Sequence, residues 1–225
     1  MLSLIKEISE FPLKMKDKIR SAYEKAYLEH GDSPSGVLWP KARQDIRFDA
    51  LTRNISSKEN FSLLDFGSGL AHLKEYLDLN YQNVIYSGVE MHDFFLEASR
   101  SKYPECSFHN IDSPQQLNEN FDYVVSSGAF NMLYSDCELE HKEVVFKIIK
   151  DLFLLSHVYC SVNFMSDNVD FKQEGSYHQN VSEMLTFVRD NLSQRVSVDC
   201  SYMPYEFTIT IWRDQKIKRP ENIYG

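Results

Sequence analysis

The sequence predicts an α/β fold, a mostly parallel sheet of seven strands with helices on both faces. Three observations predict it. From residue 61 to 164, strand-like and helix-like segments alternate, as strand–helix–strand crossovers require. An apolar run ends at Asp65 and turns through Gly67 and Gly69 into a segment with Leu70, Leu73 and Leu77 at helical spacing. The chain then closes on two successive strand-like segments, which suggests an antiparallel hairpin at the end of the sheet. At 225 residues, 43% apolar and 13% aromatic, the chain has enough core for one domain with an extension.

The elements follow in order. Residues 14–29 have helical composition, and the glycines and prolines of His30-Gly31-Asp32-Ser33-Pro34-Ser35-Gly36 end them. A second helix is expected over 41–53, opened by Pro40, with Ile46, Phe48 and Leu51 inward. Strands are expected at Phe61–Phe66, 84–90, 106–110, 123–126 and 158–164. Helices are expected between them at 71–79, Asp93–Lys102 and the amphipathic Glu138–Leu155. A helix over 181–192 leads to strands at 195–202 and Glu206–Trp212, joined by a tight turn at Met203-Pro204-Tyr205. The expected organisation is a helical extension or lid over 1–56, the sheet domain over 57–213 and a tail over 214–225.

Charge and cysteine usage narrow the function classes. A net charge of −9 disfavours a nucleic-acid partner. The cluster Arg213, Lys216, Lys218 and Arg219 reads as a solvated tail. Cys106, Cys137, Cys160 and Cys200 show no Cys-x-x-Cys spacing, which argues against a zinc site and a disulfide framework. Lys6 and Glu7 interrupt any leader-like apolar stretch, and the run Leu152 to Leu155 is too short to span a bilayer. The expected setting is cytoplasmic and reduced, as a monomer or homodimer, with a small-molecule substrate and no metal, nucleic acid or membrane.

The glycine turn carries the chemistry. Gly-x-Gly between strand and helix brings backbone N–H groups close to a ligand that a Cβ would hold away. The helix N-terminus behind it attracts negative charge. Asp65 repels phosphate and suits an ammonium or a hydroxyl. S-adenosylmethionine, with an amino group and a carboxylate, satisfies both.

Asp65-Phe66-Gly67-Ser68-Gly69-Leu70-Ala71 resembles the first motif of the class I S-adenosylmethionine-dependent methyltransferases, Asp/Glu-x-Gly-x-Gly-x-Gly after a strand. It departs at Ala71, where a small side chain is expected to cost little because the position needs close helix–strand approach. The resemblance implies a Rossmann-like three-layer sandwich with strand order 3-2-1-4-5-7-6. It also implies S-adenosyl-L-methionine as cofactor, held at Asp65, Gly67, Ser68 and Gly69.

Further segments extend the resemblance. Gly88-Val89-Glu90-Met91 ends the second strand, where a carboxylate can accept both ribose hydroxyls; the other reading is a helix-start acid. The family pattern gives Glu90 the ribose and Met91 the adenine face. Asp112 resembles the contact to the adenine amine, with a turn role, or Asn110 in its place, as alternatives. The segment 121–131 resembles the fourth motif, which puts Ser126, Ser127 and Gly128 beside the methionine part and Phe130 and Asn131 near the acceptor; Asp122 reads as structural. His30-Gly31-Asp32-Ser33-Pro34, Trp39, Gln44, Arg47, Phe48 and the segment from Tyr202 to Ile209 resemble a poorly characterised bacterial subgroup. Arg47 is a candidate clamp for the cofactor's carboxylate, or a surface ion pair. Trp39 is a candidate ligand cover, or a core aromatic.

The function these residues imply is methyl transfer to oxygen or nitrogen of a small polar metabolite by in-line displacement. The alternatives are an NAD(P)-binding oxidoreductase, a non-catalytic S-adenosylmethionine-binding module, and an RNA or protein methyltransferase. Asp65 ahead of the turn, the helical extension and the closing hairpin count against the oxidoreductase. His141, His178 and His30 read as surface or capping groups, and no catalytic base is assigned. The acceptor pocket is expected between the N-terminal helices, the segment after Phe130 and the polar, aromatic loop 164–178.

Overall fold

A computed structural model describes residues 13–39, 43–56, 60–111, 113–135 and 137–214, with side chains from residue 19 onward. Asp112, Pro40 and the tail beyond 214 lie outside the described residues. The helices are α1 (Leu13–His30), α2 (Gln44–Thr52), α3 (His72–Asn80), α4 (Asp93–Lys102), α5 (Glu138–Leu155) and α6 (Val181–Asn191). The strands are β1 (Phe61–Phe66), β2 (Val84–Val89), β3 (Ser107–His109), β4 (Phe121–Ser127), β5 (Ser156–Met165), β6 (Val196–Asp199) and β7 (Glu206–Trp212). They form one sheet in the order β3-β2-β1-β4-β5-β7-β6. β1 to β5 pair in parallel, and β7 runs antiparallel to both β5 and β6. This is the Rossmann-like order the motifs imply.

Burial explains the layers. On one face Val145, Ile149 and Leu152 of α5 pack on Leu64, Val124 and Val162, with Phe207, Ile209 and Ile211 of β7 completing the core. On the other, Leu51 of α2 and Leu73 and Leu77 of α3 cover Leu63, Val125 and Tyr159. Each such side chain contributes about 1.5–3 kcal/mol of burial. The extension is held separately: Tyr23 and Tyr27 of α1 pack against Phe95 of α4, edge to face, at 5.7 and 5.6 Å between ring centroids. Asp122 is structural: its carboxylate accepts from Ser62 N at 2.8 Å and Ser62 Oγ at 3.0 Å, joining the starts of β1 and β4.

Two local expectations are corrected. Ile46 is 43% exposed, while Arg47, Phe48 and Leu51 face inward. Residues 46 and 48 lie about 200° apart around a helix, so both cannot face the sheet. Arg47 takes the inward face because β7 supplies Glu206 as its counter-ion. The closing strands are joined by the longer connection 200–205 instead of a tight turn, because β6 is only four residues long.

Candidate active site

The turn after β1 fastens the centre of the sheet. Gly67 (φ 79°) and Ser68 donate their N–H groups to Val89 O at 2.8 and 3.0 Å, and Gly69 N donates to Glu90 Oε2 at 3.0 Å. These donors are therefore spent on the end of β2, where the sequence reading expects them to face a ligand. A Cβ on Gly67 would lie 2.6 Å from Ala129 Cβ, so this glycine makes room for the loop after β4. Ala71, fully buried, holds φ 57° and ψ 35° at the start of α3. The position needs a left-handed backbone as well as a small side chain, and an L-residue there costs roughly 1–2 kcal/mol. The expectation of a cheap substitution is corrected on that ground.

Two buried carboxyls flank the turn. Asp65, 2% exposed, accepts from Tyr86 Oη at 2.8 Å through Oδ2, and its Oδ1 has no partner. Burial raises its pKa from 3.8 to about 7 against the Tyr86 hydrogen bond, with the nearby Glu90 charge adding to the rise. Glu90 accepts from Gly69 N through one oxygen and from His92 N at 2.8 Å through the other. Burial lifts it from 4.5 to about 7 despite those bonds. Burial, helped by the charge of Arg20, pushes His92 down to about 4, so its imidazole is neutral beside Glu90.

Sequence reasoning missed Tyr86, although the signal is there. β1 and β2 pair with Asp65 opposite Gly88, and Tyr86 lies two residues earlier on the same face. Gly88 has no side chain, and Asp65 reaches diagonally to the phenol.

A cleft opens at the carboxyl ends of β1, β2 and β4. Phe66, Gly67, Gly69, Glu90, Met91 and Ser127 form its sheet side. Tyr23, Val37 and Trp39 cover it from the extension, and Phe95, Phe130 and Tyr134 complete an aromatic wall. A narrower chamber shares Val37, Trp39, Gly67, Gly69 and Ser127 with the cleft, and adds Asp65, Ser68, Gln44 and His72. The Ser68 hydroxyl, buried in this chamber, has no partner. Ile111 and Ser113, on either side of Asp112, line the cleft. The structure thus brings together Asp65, Gly67, Ser68, Gly69, Glu90, Met91, Ser127 and Trp39, but leaves Arg47, Ser126 and Asn131 outside the cleft and chamber.

Arg47 is engaged elsewhere. Its Nε donates to Glu206 Oε2 at 2.7 Å, its Nη2 pairs with Glu206 Oε1, and its Nη1 donates to Arg43 O at 3.2 Å. Its guanidinium stacks on Trp39, 3.9 Å from the ring centroid. Ser126 Oγ donates to Phe66 O at 2.9 Å, so of these two neighbouring serines Ser127 lines the cleft. Asn131 sits outside the cleft lining; its Oδ1 accepts from Met165 N at 3.1 Å and its buried Nδ2 has no partner. Loop 164–178 lines neither the cleft nor the chamber. It is tied down instead by bridges Met132↔Ser176 and Ser166↔Gln179, while Phe171 points to solvent.

The histidines have structural places. His141 is fully buried, with Nδ1 accepting from Tyr134 N at 3.2 Å and Nε2 at 3.3 Å from Phe130 O. Burial lowers its pKa to about 4. His178 Nδ1 donates to Ser166 O at 2.8 Å and Nε2 accepts from Gln173 N at 3.2 Å. His30 is a surface group near Glu29. Among the described residues no cluster of three His, Cys, Asp or Glu could hold a metal, and no helix is long and apolar enough to cross a membrane.

The sheet order is a Rossmann-like seven-stranded architecture, a fold similar to that of solved S-adenosylmethionine-dependent methyltransferases. No family model matches the chain. It is 22% identical over 161 residues, 71% of its length and 97% of the relative's, to "Putative methyltransferase Rv1506c" of Mycobacterium tuberculosis. Its fold is similar to that of the Burkholderia thailandensis 1,6-didemethyltoxoflavin-N1-methyltransferase, solved with 1,6-didemethyltoxoflavin and S-adenosylhomocysteine (TM-score 0.65, 13% identity, 89% of each chain). It is likewise similar to the plantazolicin methyltransferase BpumL (TM-score 0.60, 10% identity, 88% of this chain and 98% of the other). Against the pyocyanin biosynthetic protein PhzM (TM-score 0.60, 13% identity, 84% of this chain), the chain spans 61% of the other's length.

Proposed function

We propose that the chain transfers a methyl group from S-adenosylmethionine to an oxygen or nitrogen of a small molecule. The observation that carries this reading is the buried Asp65 carboxyl, with one oxygen lacking any partner at the mouth of β1. A buried anion in that state favours a cationic donor, and the cofactor's ammonium is one. Phosphate is the group it least accommodates, which sets this cleft apart from one built for a dinucleotide.

In this reading Asp65 holds the ammonium, and Glu90, at the end of β2, accepts from the ribose hydroxyls. Met91 packs on the adenine and Asp112 serves its amine. Gly67 and Gly69 shape the turn, while Ser68 and Ser127 offer hydroxyls to the methionine part. When bound, the cofactor supplies a methyl group activated on sulfonium for in-line displacement. The chain's own task is to align the acceptor and exclude water, and orientation of this kind can supply up to about 7–11 kcal/mol. The helical extension over 1–56 acts as the cover, through Tyr23, Val37 and Trp39.

The acceptor is a small molecule whose nucleophile is polar and whose body packs on Phe95, Phe130 and Tyr134. Neighbours named as an N1-methyltransferase and as mitomycin 7-O-methyltransferase support transfer to nitrogen or oxygen. Equilibrium binding tests the reading. S-adenosylmethionine should bind saturably and NAD(P) should not, and a metabolite pool should yield S-adenosylhomocysteine. Tight NAD(P) binding without S-adenosylmethionine binding would overturn it.

A further inference from the structure

Five residues from distant parts of the chain close a ring beside the cleft. Gly128 N donates to Asn163 Oδ1 at 2.7 Å, and Asn163 Nδ2 donates to Glu206 Oε2 at 3.2 Å. Glu206 receives the fork of Arg47, and Arg47 stacks on Trp39. Trp39 returns to the start: a Cβ on Gly128 would lie 2.3 Å from Trp39 Cζ2. Asn163 is fully buried, Glu206 is 2% exposed and Arg47 is 5% exposed. Trp39 alone among the five lines both the cleft and the narrower chamber.

We infer that Arg47, Glu206 and Asn163 are positioning residues for Trp39, and that the indole, so fixed, is the wall that selects the acceptor. The proposal rests on the methyltransferase reading for the word acceptor, while the ring itself does not. A buried ion pair is an expensive way to gain stability, since an apolar pair of the same volume often serves as well or better. Here the pair does something an apolar pair would not. Arginine presents two fork donors to Glu206 and a flat cation to the indole at once. The carboxylate fixes the guanidinium plane, the guanidinium fixes the indole plane, and Asn163 links both to the loop after β4.

Fluorescence of Trp39 tests this without any ligand, in a Trp212→Phe background so that one indole reports. Glu206→Gln and Arg47→Lys should each shift Trp39 emission to the red and raise its quenching by acrylamide. Should either single variant fail to fold through its stranded partner, the double variant Arg47→Gln with Glu206→Gln leaves no unpaired charge. It should recover thermal stability yet keep the loosened Trp39 signal, which a merely structural pair would not predict. Unchanged emission and quenching in folded variants would overturn the proposal. Titration of the unmodified protein with S-adenosylhomocysteine separates the two readings. Lack of binding there sinks the methyltransferase reading, whereas a silent Trp39 with intact binding sinks only this one. Once an acceptor is in hand, Trp39→Phe should change acceptor preference through KM; equal loss for every acceptor would count against selection.

Discussion

Ala71 shows how one side chain carries a measurable strain. Its φ of 57° belongs to the region that glycine occupies freely. Relief of the left-handed conformation, less the entropy glycine adds to the unfolded chain, should make Ala71→Gly more stable by up to about 1 kcal/mol. Urea denaturation should show a higher midpoint at unchanged slope. Gly67→Ala should go the other way, because it adds both the strain of φ 79° and a contact 2.6 Å from Ala129. A loss of at least about 1 kcal/mol is expected, read by the same denaturation.

Asp65 makes a prediction with a definite sign. The folded protein binds its proton up to about pH 7, the unfolded chain only up to 3.8, so ionising it weighs against the fold as pH rises between them. His92 and His141 act oppositely over the acid range, since each is held neutral until about pH 4. The difference between variant and parent isolates the carboxyl. Asp65→Asn in the ligand-free protein should be the more stable at pH 8, by up to about 4 kcal/mol. That advantage should shrink steadily as pH falls from 7 toward 4. Thermal unfolding over that window checks it.

At the scale of elements, the extension depends on an aromatic cluster. Phe95 of α4 is 1% exposed and receives Tyr23 and Tyr27 edge-on, with Phe94 tilted against it at 4.5 Å. Phe95→Ala should cost about 3–5 kcal/mol, and hydrogen exchange should show α1 losing protection before the central strands do. β7 is buried on both faces: Thr208 and Thr210 are as enclosed as Phe207 and Ile209. It is an interior strand, with β6 taking the edge, and Glu206 at its start meets Arg47 and Asn163 beside the cleft.

Across the whole molecule, what the sequence revealed and what it hid divide along the distance of the interactions. The strand–glycine–helix turn, the helices Asp93–Lys102 and Glu138–Leu155, and the strand order depend on local periodicity and a recognisable motif, and the structure reproduces them. The gathering of Asp65, Glu90, Met91 and Ser127 follows from that order, because parallel strands end on one side. Hidden were the partners that only three dimensions supply. Arg47 meets Glu206 across 159 positions of sequence, and no spacing announces the pair. Loop 164–178 has a composition suited to a pocket, yet backbone bridges hold it away from one. The N–H groups of the turn are hidden in the same way: their acceptors, Val89 O and the Glu90 carboxylate, lie at the end of the next strand.

The central claim is that an ionised Asp65 holds a cationic group of the cofactor. Calorimetric titration of S-adenosylhomocysteine at pH 6 and pH 8 tests it most directly. The protein should bind more tightly at pH 8, with affinity falling by up to about tenfold per pH unit below 7 as the carboxyl takes up its proton. Asp65→Asn should bind weakly at both pH values. Equal affinity in variant and parent, with no dependence on pH, would contradict the account.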